Sequence, residues 1–511
     1  MIAKLLMMAA FFAVTIYIGF YARKSTADVD GFVLGGRKVG PWLSAFAYGT
    51  SYFSAVVFIG YAGQFGWKYG MAALWIGLGN AFIGSLLAWY VLGARTRAMT
   101  HHLHAQTMPE FFGARFASRG LRVAAAAIIF IFLIPYTASV YNGLSRLFDM
   151  AFGMPYEWCI LGMALLTCIY VVVGGYMATA INDLVQGVIM LIGIVAIIIA
   201  VLGEYGGFTQ AMASLSQVPG SAGENTAGIQ GVFVSIFGPD LFNLTMVLVL
   251  TSLGVWGMPQ MVQKFYAIHS TDAIKRGAII STVFALVVAG GSYFLGGFGR
   301  LVADRVSYTP GGTPIYDSIV PSMLAGMPDL LIGLTVVLVL SASMSTLSSL
   351  VLTSSSTLTL DFLKGNFIRE TNARTQLVVI RLLIVVFVLI SSVIAILQYH
   401  SSITFIAQLM AISWGALAGA FLAPFLYGLY WQRVTTASVW VCFIFAVGLV
   451  CSNMVLGYIR SPITAGALAI LAGLVIVPLV SLVTPRPDAK WVSTLFRESY
   501  LNLHDNEIDA D

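Results

Sequence analysis

Residues 337–352 read Val337-Leu338-Val339-Leu340-Ser341-Ala342-Ser343-Met344-Ser345-Thr346-Leu347-Ser348-Ser349-Leu350-Val351-Leu352. A stretch rich in hydroxyls, 341–349, interrupts a run that is apolar on both sides. Ala342, Ser345, Thr346 and Ser349 fall at i, i+3, i+4 and i+7, so a helix places them on one face, with Ser348 at its border. Two readings fit. Small residues let membrane helices pack closely, and a row of hydroxyls also suits a hard cation, which prefers oxygen ligands. Spacing alone does not separate them.

The rest of the chain says what kind of solvent surrounds that helix. Of 511 residues, 59% are hydrophobic and only 9% are charged, with a mean hydropathy of +0.91. A soluble domain carries about 25% charged residues, so this composition defines an integral membrane protein. Runs of about 20 apolar residues, the length that spans a bilayer, occur thirteen times, near 3–22, 42–65, 71–94, 121–147, 156–176, 180–203, 241–262, 275–299, 328–352, 376–399, 402–430, 436–457 and 464–484. Their continuity excludes a β-barrel, whose strands alternate over about ten residues. The expected organisation is an all-α polytopic domain over 1–484, with core helices at about 42–430, and a short tail, 485–511, read as disordered or as a cytoplasmic appendix. The first run is followed by Arg23 and Lys24 without a small-residue cleavage site, so it reads as a retained helix.

Of the 26 basic residues, twenty fall in the odd-numbered loops and the tail, and six fall on the other side. The positive-inside rule then places the N-terminus outside and the C-terminus in the cytoplasm. The net charge of +5 is scattered between apolar runs, which argues for loop topology and against nucleic acid. Cys159, Cys168, Cys442 and Cys451 sit in or beside apolar runs and read as small core residues. His101, His102 and His104 follow Arg95 and Arg97 and read as a solvated loop before a metal site. No nucleotide loop, nucleophile elbow or zinc motif is present.

Three further features lie at membrane depth. Asp183, in Ala180-Ile181-Asn182-Asp183-Leu184-Val185-Gln186-Gly187, is the acidic residue placed inside an apolar run, where ionisable groups are costly and mark function; an N-cap at a helix start is the plain alternative. Ala47-Tyr48-Gly49-Thr50-Ser51-Tyr52-Phe53-Ser54 gathers polar and Gly residues in mid-run. An unwound helix there would offer carbonyls to a cation and a half-helix N-terminus to a carboxylate, and a packing face explains the spacing equally well. Pro135-Tyr136, Trp256-Gly257-Met258-Pro259-Gln260 and Trp414-Gly415 place aromatics and Pro at depth, where each aromatic taken singly reads first as core.

Together these segments resemble the sodium:solute symporter family from about Tyr17 to about Arg433. The motifs are Phe32-Val33-Leu34-Gly35-Gly36-Arg37, Gly174-Gly175 through Gly187, and Met344-Ser345-Thr346-Leu347-Ser348-Ser349. Gly257-Met258-Pro259 with Val262-Gln263-Lys264 is similar to the proline-symporter and pantothenate-permease branch. The resemblance implies the leucine-transporter fold, with helices two to six and seven to eleven as five-plus-five inverted repeats, and Na⁺ as the coupling ion. It implies a main Na⁺ site from the backbone oxygens of Thr50, Phe53 and Ala342 and the hydroxyls of Ser345 and Thr346. A second site found in some members matches Asp183, Ser345, Ser348 and Ser349.

The solute would lie between Ser51, Tyr52, Tyr136, Trp256 and Gln260. Tyr52 departs from the proline branch, which carries Asp there, and Thr251 and Val255 stand at the aromatic positions of the seventh helix. The expected function is therefore Na⁺-coupled import of a small organic solute in the plasma membrane (bacterial inner membrane) by alternating access. Proline or a related amino acid comes first, with pantothenate, another small carboxylate or a sugar as alternatives. No obligate protein partner is expected. A sensor lacking its kinase partner is the rival class; a proton-coupled carrier would leave the hydroxyl row without a purpose.

Overall fold

The computed structural model describes residues 2–220, 226–364, 372–401 and 406–508. Among these, every extended element of regular structure is a helix. Ten helices are long and apolar enough to cross a membrane, or eleven with the bent pair at 241–267 counted as one. Two of them, Val56–His102 with 47 residues and Tyr156–Glu204 with 49, would each be about 70 Å long if straight, against a hydrocarbon core of about 30 Å. Both are broken by a glycine. Gly70 has φ 59° and ψ −136°, and Gly175 has φ 53° and ψ −148°, conformations that a Cβ disfavours. Dividing each long helix at its glycine brings the eleven spans to the thirteen read from the apolar runs.

The order is then Ile2–Tyr21 first, 41–69 second, 70–102 third, Arg119–Phe152 fourth, 156–174 fifth and 176–204 sixth. The seventh covers 241–267. Thr271–Gly297, Asp329–Thr357, Ala373–Ser401, Ile406–Tyr430, Thr436–Leu456 and Pro462–Val483 complete the set.

The second and seventh spans are each broken near the middle, and they lead the two sets of five. In the second, Pro41–Tyr52 ends at Phe53, whose φ −109° and ψ 93° leave the helical region. The helix restarts where the Ser54 carbonyl accepts from the Val57 and Phe58 amides at 2.9 and 3.3 Å. In the seventh, Met258 is extended (φ −81°, ψ 119°) and Pro259 opens the half-helix Pro259–Ala267. A residue before Pro is driven out of the α region, and Pro at a helix start forfeits no hydrogen bond.

Irregular backbone at this depth is tolerated only when protein or a cavity surrounds it. The ninth span supplies that surrounding. It is buried nearly without interruption from Thr335 to Thr357 and packs on the first, fourth and sixth spans and on Pro41–Tyr52. Its hydroxyls explain the position: in lipid they would lack partners other than their own helix.

The structure corrects two expectations at the periphery. The tail is helical at Ala489–Ile508 and docked: Val492, Leu495 and Phe496 are buried, and Glu498 Oε2 lies 3.0 Å from His102 Nε2. His101 and His102 accordingly belong to the last turn of the helix Ala94–His102 and not to a loop. Residues 509–511, the end of the acidic cluster, and Arg369, counted among the loop charges, lie outside the described residues.

Candidate cation and solute site

Where Pro41–Tyr52 ends, its last carbonyls lose their helical partners. The ninth span fills that gap. The Ser345 hydroxyl donates to the Thr50 carbonyl and to the Ala342 carbonyl, both at 3.1 Å. The Thr346 hydroxyl reaches the Ala342 carbonyl at 3.1 Å and those of Thr50 and Ser51 at 3.4 Å. Five oxygens from two helices therefore converge, three of them carbonyl and two hydroxyl. All five residues are fully buried. This is an oxygen-only donor set with no formal charge, suited to a hard monovalent cation.

Four residues of the expected main site (Thr50, Ala342, Ser345, Thr346) are thus brought together. Ser51, expected on the solute side, joins them through its carbonyl. Phe53 stands at the break itself, its amide donating to the Gly49 carbonyl at 3.2 Å. The Thr50 side chain is turned back to the Phe46 carbonyl at 2.8 Å, so Thr50 contributes backbone.

Deeper along the same face, Ser349 Oγ is 2.7 Å from Ser51 Oγ. Ser348 donates to the Ser345 carbonyl at 2.9 Å. Asp183 is completely buried, and among the described residues neither of its carboxylate oxygens has a partner within hydrogen-bond distance. The helix-cap alternative for Asp183 is overturned: its helix begins just after Gly175, two turns earlier, and no backbone amide bonds to the carboxylate. Four residues on, Gly187 lies against Phe46 and Thr50, so this helix face looks toward the second span.

Lys264 is the residue that the sequence reading misplaced. Counted there as a loop charge, it lies on Pro259–Ala267, 2% exposed, and donates to Ser349 Oγ at 3.0 Å.

On the other side of the break, Tyr52 stacks on Phe53 (ring centroids 4.3 Å) and on Trp414 (6.1 Å). Its hydroxyl donates to the Thr251 carbonyl of the seventh span at 2.6 Å. Gly84 makes the room, since a Cβ there would lie 2.1 Å from that hydroxyl. Tyr136 meets Trp414 edge-on at 6.0 Å. Trp256 donates to the Ile83 carbonyl at 3.0 Å. Trp414 therefore occupies the place beside Tyr52 and Tyr136, while Trp256 is turned to the third span.

Among the described residues, three groups around this break are buried with no partner within hydrogen-bond distance: the Tyr136 hydroxyl, the Trp414 indole N–H and both amide atoms of Gln260. Buried polar groups are normally satisfied, so unmet ones grouped at two helix breaks mark a place where a polar ligand supplies the partner.

Two broken spans with unmet side-chain dipoles beside them, and an oxygen cage where the second span meets the ninth, are the architecture of a cation-coupled secondary transporter. Comparison with known proteins identifies which kind. The profile of the sodium:solute symporter family matches residues 32–444, and the chain belongs to that family. It is a Na⁺-coupled solute symporter, a transporter and not an enzyme.

The sodium/proline symporter of Salmonella typhimurium is 30% identical over 426 residues, which is 82% of this chain and 81% of that protein. The osmoregulated proline transporter OpuE of Bacillus subtilis is 29% identical over 493 residues, 93% of this chain and 94% of the relative. Among solved structures, a substrate-bound, outward-open Na⁺-coupled sialic acid symporter superposes with TM-score 0.75 at 18% identity, covering 95% of this chain and 98% of that one. A nucleobase-cation-symport-1 family transporter superposes with TM-score 0.51 at 14% identity, covering 93% and 97%. The fold is thus of the leucine-transporter type, as the paired breaks in the second and seventh spans require.

Proposed function

We propose that the solute is proline or a closely related small amino acid, carried into the cell with Na⁺. The observation that carries the reading is the meeting of two surfaces at one break. An aromatic corner, with Tyr52 stacked on Trp414 and Tyr136 edge-on to it, suits a compact apolar ring, and the unmet dipoles beside it suit a zwitterion. The printed names of the relatives in Salmonella and Bacillus support proline among the solutes that such a site accepts.

In this reading Na⁺ sits among the oxygens of Thr50, Ser51, Ala342, Ser345 and Thr346, with Phe53 closing the site from the break. Filling that cage holds Pro41–Tyr52 against the ninth span. The same break presents Tyr52 to the solute, so either ligand preorganises the site of the other, and the coupling is reciprocal. A cavity of about 600 Å³ lined by Lys68, Asp240, Asn243 and Tyr316 lies where the second span ends and the seventh begins, and provides the approach. In this reading that side faces outward and the C-terminal helix lies in the cytoplasm, at a bacterial inner membrane; the charge asymmetry of the loops supports the orientation. Each Na⁺ moved inward then contributes about 2.3 kcal/mol per 100 mV.

The test is uptake of labelled proline and of labelled pantothenate into proteoliposomes with and without an inward Na⁺ gradient. Na⁺-driven accumulation of proline is the expected result. Accumulation of pantothenate alone would move the chain to the other branch.

A further inference from the structure

Asp183, Ser345, Ser348 and Ser349 are the residues that a second Na⁺ would use. In this chain they do not form a free cation site. The Ser345 hydroxyl belongs to the main cluster, where it meets the Thr50 and Ala342 carbonyls. The Ser348 hydroxyl is turned back onto its own helix. Ser349 Oγ already accepts a hydrogen bond from an ammonium, that of Lys264, at 3.0 Å. Asp183 is left as a buried carboxylate with no hydrogen-bond partner among the described residues, on the helix face that looks toward the second span. The ammonium also faces the Tyr176 ring, 5.1 Å from its centroid.

We propose that Lys264 is a tethered cation that fills the second cation position, so that this chain binds one Na⁺ per transport cycle. The inference rests on reading the Thr346 cluster as the Na⁺ site. A single dehydrated carboxylate neutralises one positive charge, and a second cation brought beside the first is repelled strongly where water does not screen it. Between a free ion and an ammonium held on the protein, the ammonium has the advantage, because its helix already places it there. Ser349 and Ser51 complete the arrangement by carrying that charge, through two short hydrogen bonds, to the end of the broken second span. The same geometry makes Lys264 a strut between the seventh, ninth and second spans.

The test counts ions directly: equilibrium binding of radiolabelled Na⁺ to the purified full-length chain in detergent, with saturation giving ions per protein. The wild type is expected to bind one. Lys264→Met and Lys264→Gln, which leave Asp183 unopposed, are expected to bind two, and Lys264→Met combined with Asp183→Asn one again. Two ions in the wild type, or no second ion in either single variant, would overturn the proposal. A wild type that binds no Na⁺ at all would instead remove the cation reading of the Thr346 cluster on which it stands.

Discussion

The Ser345 hydroxyl and the Thr50 carbonyl meet at 3.1 Å although 295 positions separate them in the chain. This contact joins a helix that runs unbroken through the core to one that stops in mid-membrane. Thr346 repeats it at 3.4 Å to Thr50 and Ser51. The site is therefore made by a helix ending, and the ninth span reads that ending with hydroxyls one turn of helix can supply.

Thr346→Ala removes one of the five oxygens without removing a charge. Losing a hydrogen-bond-scale contact to a charged group costs about 1.5–3 kcal/mol, so the Na⁺ concentration for half-maximal uptake should rise by about tenfold or more. Uptake measured against Na⁺ at saturating solute checks this. An unchanged sodium curve would remove Thr346 from the site.

Tyr136→Phe should move stability and affinity in opposite senses. The hydroxyl is buried with no partner within hydrogen-bond distance among the described residues, so its removal relieves a desolvation cost of about 1–3 kcal/mol, and thermal stability of the solute-free protein should hold or rise. If solute supplies the missing partner, solute affinity should fall by about tenfold while the Na⁺ curve in solute-free binding stays in place. Unchanged solute affinity would assign the hydroxyl to packing.

In the proposed arrangement Asp183 is the counter-charge of the buried Lys264 ammonium, and Asp183→Asn removes it. Breaking one member of a buried charge pair costs about 3–5 kcal/mol, whereas replacing both is often close to neutral. The single variant should unfold at a clearly lower temperature, and Asp183→Asn with Lys264→Met should recover most of that loss. Additive losses in the double variant would show that the two charges do not interact.

Gly175→Ala tests the hinge that separates the fifth and sixth spans. Its φ of 53° disfavours any L side chain, and a Cβ would lie 2.8 Å from the Phe32 carbonyl. A loss of about 1–3 kcal/mol is expected. Gly162→Ala, in the same long helix with nothing within 4 Å, should be neutral or slightly stabilising. Equal effects at both positions in thermal unfolding would mean that Gly175 is an ordinary helical glycine.

The ninth-span hydroxyls and the polar cluster of the second span stood out in the sequence because lipid tolerates few polar groups, but their spacing alone left packing and ligand binding equally open. The family resemblance, and not the residues alone, set Thr50, Ala342, Ser345 and Thr346 apart as a cation site, while Pro259 marked a disturbed backbone through its missing N–H. Lys264 was not legible. It lies at the end of an apolar run, ahead of Lys275 and Arg276, and a linear reading assigns such a lysine to the loop. Only the bend at Met258, which turns Pro259–Ala267 back toward Ser349, carries it inward.

Trp414 was hidden differently. An aromatic in an apolar run has no local mark of exposure to a cavity, and its role depends on Tyr52 and Tyr136 arriving from two other spans. The docked helix Ala489–Ile508 was missed because its burial depends on the surface of Ala94–His102 and not on its own apolar content. Asp361 is a similar case. It closes the ninth span and is 2% exposed, but its partners, Thr107 at 2.6 Å and Arg122 at 2.7 Å, come from a distant loop helix and the start of the fourth span.

The central claim is that one helix break serves both ligands, so the most direct measurement is linkage between them. Na⁺ affinity of the purified protein is measured with and without saturating proline, and proline affinity with and without saturating Na⁺. The account predicts that each ligand tightens the other by the same factor. Affinities that do not depend on the other ligand would contradict it, because a cage at Thr50 and Ser51 and a solute wall beginning at Tyr52 could not then belong to one coupled site.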